Sequence, residues 1–100
     1  MSRRYTRQDQ KISARVGEEF VITLDANPTT GYLWQPPAEH DLLRFVDRRF
    51  TPSGSAIGSG GGEELRFRCV AAGSAPMTLK YQRPWEDVAA EQFTLTLEVR

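Results

Sequence analysis

The amino-acid sequence predicts an all-β fold, a seven-strand antiparallel β-sandwich. Three observations predict it. Apolar residues recur at every second position in run after run, no window carries the stripe of an amphipathic helix, and the links "VGE", "PPAEHD" and "AAGSAP" are short or hold ordinary turn chemistry. Alternation of this kind marks strands with one face in a core and one in water, which is how antiparallel sandwiches are built.

Taken in order, the first run is "QKISARV" near the start, with a weak pattern. "EFVITLD" follows, with Phe20, Ile22 and Leu24 on one face and Glu19, Val21, Thr23 and Asp25 on the other. "YLWQ" at 32–35 and "LRFVDRRF" at 43–50 are short or irregular, and Trp34 is expected between the sheets. "ELRFRCV" places Leu65, Phe67 and Cys69 inward and Arg66 and Arg68 outward. "MTLKYQ" sets Met77, Leu79 and Tyr81 against Thr78, Lys80 and Gln82. The last run, "FTLTLEVR", is the cleanest, with Phe93, Leu95, Leu97 and Val99 inside.

A length of 100 residues makes residues 1–100 a single domain with one core. Lys+Arg and Asp+Glu balance at 13 each, so no global field draws the chain to nucleic acid or to an anionic membrane. Arg3-Arg4 and Arg48-Arg49 read as solvated surface. No apolar stretch is long enough for membrane insertion, and "MSRRYTRQDQK" lacks the apolar centre of a secretory signal. Localisation stays open between the cytoplasm and an exported protein whose leader has been removed. One cysteine allows no internal disulfide, so packing alone must hold the fold.

Reacting groups are scarce. His40 is expected in a turn and Cys69 on an inward strand face, which separates base from thiol and leaves no catalytic residue. A metal site needs about four ligands, so no metal and no cofactor are expected. "GSGGG" at 58–62 lacks the Lys-Ser/Thr of a phosphate loop and leads into a strand. Glu63, Glu64, Glu86, Asp87 and Glu91 read as solvated loop charges.

The links after the second, fourth and sixth runs are different from the rest: "NPTTG" at 27–31, "TPSGSAIGSGGG" at 51–62 and "RPWEDVAA" at 83–90. If strands run alternately up and down, all three emerge at one end, where a rigid sandwich presents binding loops. Pro28 fixes its own φ and restricts Asn27, Gly31 frees the exit into Tyr32, and Thr29 and Thr30 sit at the crest. Trp85 lies in a loop beside Arg83, and these two residue types are enriched at the energetic centres of protein interfaces.

Together, "NPTTGYLW", "GSGG" within "AIGSGGGEELRF" and "RPWE" resemble, in order and spacing, the three motifs of the chagasin family of cysteine-peptidase inhibitors. The similarity runs over roughly residues 12–99; the first ten residues fall largely outside it and are expected as a poorly ordered or weakly packed N-terminus. The resemblance implies an immunoglobulin-like sandwich that inhibits papain-like cysteine peptidases, such as papain and cathepsin-type enzymes, reversibly and tightly. It implies a wedge of Asn27, Pro28, Thr29, Thr30 and Gly31, with Tyr32 behind it. Ile57, Gly58, Gly60 and Gly61 would line one wall of the cleft, and Arg83, Pro84 and Trp85 the other. Gly62 is additional to the family's pattern. A monomer is expected when free. The competing expectation is an adhesion or recognition domain that uses the same loop rim for a non-peptidase partner.

Overall fold

The alternating runs fold into two packed four-stranded sheets, and no helix is present among the described residues. A computed structural model of the protein describes residues 3–27, 30–37, 40–52 and 60–100. Its strands are β1 (Arg3–Thr6), β2 (Lys11–Ala14), β3 (Glu19–Ala26), β4 (Leu33–Gln35), β5 (Leu43–Pro52), β6 (Gly61–Cys69), β7 (Gly73–Gln82) and β8 (Glu91–Val99). One sheet has the order β1-β3-β6-β5 and the other β2-β8-β7-β4.

Two expectations need correction. The described residues form eight strands rather than seven, because Arg3–Thr6, part of the expected loose N-terminus, pairs in parallel with β3 from Arg3↔Phe20 to Thr6↔Thr23. The sandwich is also not wholly antiparallel, since β2 runs parallel to β8. The opening segment is thus split between the two sheets, one strand on an edge of each, with Arg7 in the turn between them. The Arg7 guanidinium lies over the rings of Trp34 and Phe93, at 5.8 and 5.7 Å from their centroids.

The core is the set that alternation foretold. Phe20, Ile22, Leu24, Leu65, Phe67, Cys69, Met77, Leu79, Leu95, Leu97 and Val99 are buried between the sheets, joined by Ile12 and Trp34. Removing this much apolar surface from water is the main drive to fold in a chain without a disulfide. Val21, expected on the wet face, is also buried.

β5 holds an irregularity that alternation could not foresee. Its pairing with β6 slips between Phe45 and Asp47, so Val46 is an extra residue in the ladder. Past that bulge Arg48 stands opposite Leu65 and Phe50 opposite Glu63. Residues directly opposite each other share a face. Arg48 is therefore on the inner face with Leu65, where an unbroken alternation from Phe45 would have put Asp47. Arg48 is not the solvated surface residue that the sequence suggested.

Candidate functional site

The registers decide where the three unusual links emerge. Ala26 and Pro52 both stand opposite Gly61, so β3 and β5 end where β6 begins. In the other sheet Leu33 opposes Gln82 and Tyr81 opposes Glu91, so β4 and β8 begin where β7 ends. The two ends are the same end, because the Asn27 N–H donates to Tyr81 Oη at 3.0 Å from one sheet to the other. The strand ends that flank the links 27–32, 53–60 and 83–90 therefore lie at one end of the sandwich, called the rim below.

Within the rim, the first and third links interlock. Gly31 has φ +84°, and a Cβ there would lie 2.8 Å from Trp85 Cη2, so the indole occupies the space that any other residue would fill. Arg83 Nε donates to Thr30 O at 3.1 Å, its Nη1 pairs with Glu86 Oε1 at 3.1 Å, and its guanidinium covers the Tyr32 ring at 4.6 Å. Tyr32 in turn stacks on Tyr81, which lies against Trp34, which meets Phe93 edge-on. A ladder of aromatics thus runs from the rim into the core. The Trp34 indole N–H donates to Asp25 O at 3.0 Å, tying the ladder to the opposite sheet.

The outer members of this cluster stay open. Thr30 and Pro84 are exposed, and Trp85 is 71% exposed although its ring edge rests on Gly31. Asn27, Gly31, Tyr32, Gly60, Gly61 and Arg83 are half-buried. Pro28, Thr29, Ile57 and Gly58 lie outside the described residues.

The glycine loop has a different logic from the one its composition suggested. A Cβ on Gly61 would stand 2.1 Å from Thr51 O, so its missing side chain admits the neighbouring strand of this same sheet. Gly60 has φ +75°, the left-handed conformation that favours glycine. The additional Gly62 sits inside the ladder, opposite Asp25 and Thr51, where a Cβ would meet only Thr23 Cγ2 at 3.7 Å.

Two residues at the root of the rim escaped the sequence reading. Glu63 is 2% exposed, not a solvated loop charge, and it stands 3.2 Å from Arg48 Nε. Burial pushes its carboxyl above the ordinary value, against the opposing pull of Arg48 and of the Trp34 N–H. A signal existed: Glu63 shares the parity of Leu65, Phe67 and Cys69, so the alternation of β6 places it inward.

The groups an enzyme would need are occupied elsewhere. His40 Nδ1 lies 3.1 Å from the Leu42 N–H nitrogen, and its Nε2 lies 3.1 Å from Pro76 O. Burial, helped by the charge of Glu18, raises the Cys69 thiol further from reactivity. Among the described residues no group of His, Cys, Asp or Glu is arranged to hold a metal ion.

Both the sequence and the fold have known relatives. Residues 13–99 match the family described as chagasin family peptidase inhibitor I42. The chain belongs to the chagasin family. It is a chagasin-family cysteine protease inhibitor, not an enzyme. It is 32% identical to chagasin of Trypanosoma cruzi over 96 residues, covering 87% of this chain and 86% of chagasin. The fold is similar to the crystal structure of a cysteine protease inhibitor from Entamoeba histolytica, with a TM-score of 0.80 at 22% identity over 98% of this chain and 95% of that one. It is also similar to the inhibitor in a solved complex with falcipain-2, with a TM-score of 0.59 at 18% identity over 100% of this chain and 92% of that one.

Proposed function

We propose that this member of the chagasin family inhibits papain-like cysteine peptidases reversibly and tightly, closing the active-site cleft with the three loops of the rim. Asn27 to Gly31 form the wedge, with Thr29 nearest the enzyme's Cys–His pair and Tyr32 supporting it. Ile57, Gly58, Gly60 and Gly61 run along one wall, and Pro84 and Trp85 meet the other, with Arg83 behind them. The observation that carries this reading is Trp85: a large aromatic 71% exposed on a loop, yet fixed against Gly31, is an anchor waiting for a pocket.

The physics supports the same reading. Loops already fixed to one another lose little freedom on docking, which leaves more of the contact energy for affinity. A glycine-bearing segment suits backbone pairing with an extended cleft wall. Inhibition without turnover follows if the wedge presents no carbonyl in near-attack geometry to the thiolate. Prolonged incubation with papain should then leave the chain intact between residues 27 and 31.

The deciding experiment is an inhibition titration against papain and a lysosomal cathepsin, with a serine peptidase as control. Stoichiometric loss of activity in the first two and none in the third is expected. Equal inhibition of the serine peptidase, or none of papain and the cathepsin, overturns the reading.

A further inference from the structure

β4 carries the exit of the 27–31 loop, yet it has only three residues and one strand neighbour, β7, among the described residues. Such a short edge strand is weakly held by its ladder alone. Support comes from the opposite sheet. Arg48 Nη2 donates to Trp34 O at 2.8 Å, and the Trp34 N–H points at Glu63 Oε2 at 3.5 Å. Arg48 Nε faces Glu63 Oε1 at 3.2 Å as an ion pair that lacks hydrogen-bond geometry, which leaves that buried oxygen without a donor. Side chains of β5 and β6 thus serve both the N–H and the C=O of Trp34, as a neighbouring strand would. Glu63 comes directly after Gly60, Gly61 and Gly62 in the chain, so this contact ties the root of the glycine loop to the strand leaving the wedge loop.

We propose that Glu63, acting with Arg48, is a positioning residue for the inhibitory rim: the pair locks the exit strand of the 27–31 loop to the root of the glycine loop. A buried ion pair contributes little net stability, because desolvation opposes the attraction, but its geometry is directional and fixes a register. Arg48 is the charged group facing Glu63; Leu24 from β3, Phe50 from β5 and the Trp34 peptide from β4 are its other neighbours. Protonation of Glu63 therefore removes the charge that faces Arg48 within the lock. The rim should hold less firmly as pH falls through the titration of this one carboxyl.

The inference rests on the inhibitor reading, but its first test does not. In the free protein, Glu63→Gln and Arg48→Met should each speed amide hydrogen exchange at Trp34 while leaving Leu79 and Leu97 as protected as before. Against papain at about pH 8, each should raise the inhibition constant about tenfold, the scale of one charge-assisted hydrogen bond. The double variant should be no weaker than the worse single one, since the two residues act as a unit. As pH falls from neutral toward 4.5, the ratio of Glu63→Gln to wild type should shrink toward one as the wild-type carboxyl, raised by burial, takes up its proton. Unchanged Trp34 exchange, additive losses, or a ratio that does not move with pH overturns the proposal. A wild-type protein that fails to inhibit papain defeats the inhibitor reading, while the exchange experiment still decides the lock.

Discussion

At the end of the sandwich that holds links 15–18 and 70–72 and the described part of 36–42, main-chain bonds carry most of the closure, with the His40 ring on Pro76 O and Leu42 N–H as a side-chain exception. Gly17 N donates to Cys69 O at 2.8 Å, Val16 N to Arg100 O at 3.0 Å and Val70 N to Leu42 O at 2.8 Å. At the rim, the described joins across the sheets and between links are made by side chains: the Tyr81 hydroxyl on the Asn27 N–H, the Arg83 guanidinium on Thr30 O, the Trp85 ring edge on Gly31, and Arg48 and Glu63 on the Trp34 peptide. Main-chain closure tolerates almost any side chain, whereas side-chain closure ties the shape of the end to particular residues. The difference separates stability from function: substitutions at the closed end should act on the fold, and substitutions at the rim on binding.

The sharpest way to break this comparison is a pair of glycines in nearly the same conformation. Gly17 at the closed end has φ +91° with open space around its Cβ position, and Gly31 at the rim has φ +84° with Trp85 in the way. Alanine at either position carries left-handed strain of about 1 kcal/mol. Gly31→Ala must also push out the Trp85 ring, so the inhibition constant should rise roughly a hundredfold or more. Gly17→Ala should lower the melting temperature by a similar strain and leave inhibition unchanged. Equal effects on inhibition from both would mean that the two ends are not separable.

Trp85→Ala comes next. Its ring is mostly solvent-exposed, so the melting temperature should hold while inhibition loses about 1–3 kcal/mol, the usual range for an interface anchor. A large drop in melting temperature would instead make Trp85 a structural cover for the sandwich end.

Arg83→Lys should have a smaller effect. Lysine keeps the charge, but one ammonium cannot cover the Tyr32 ring, donate to Thr30 O and pair with Glu86 at once, as the planar guanidinium does. A loss of about 1 kcal/mol in inhibition is expected, with the same factor against papain and against a cathepsin, because the lost contacts lie within the inhibitor. A factor that changes from enzyme to enzyme would make Arg83 a direct contact.

What the sequence disclosed follows the same division. Strand alternation located the core to the residue at Leu65, Phe67, Leu95 and Leu97, because a strand buried on one face must write its period into its side chains. Gly31 and Gly61 answer steric demands that no other residue meets, but the sequence did not disclose that the groups in their way are Trp85 and Thr51 of this same chain, because those contacts join segments distant in sequence. The bulge at Val46 was not legible, since one unpaired residue leaves no trace in composition, yet it decides that Arg48 rather than Asp47 faces inward. β1 was hidden for another reason. "RRYT" has no apolar alternation, and its pairing with β3 depends on a partner strand distant in sequence.

The smallest effect concerns two glutamates that titrate in opposite senses, one at each end. Burial raises the Glu63 carboxyl above 4.5 despite the attraction of Arg48 and the Trp34 hydrogen bond. Hydrogen bonds from Lys11 and Arg100 lower that of Glu98, near the closed end, below 4.5. A carboxyl raised in the fold supports stability fully below its unfolded value, and that support is lost as pH rises through the folded value. A lowered one supports stability above its unfolded value, and the support is lost as pH falls through the folded value. Glu63→Gln should therefore melt at or above the wild-type temperature at neutral pH, with the gap closing as pH falls toward 4.5. Glu98→Gln should melt lower at neutral pH, with a gap that closes on acidification below 4.5 and shrinks in salt, since the Lys11 and Arg100 pairs lie at the surface. Melting curves of the three proteins across that range decide the matter. If Glu63→Gln instead melts lower at neutral pH, the attraction of Arg48 outweighs desolvation, and the rim's lock contributes stability as well as position.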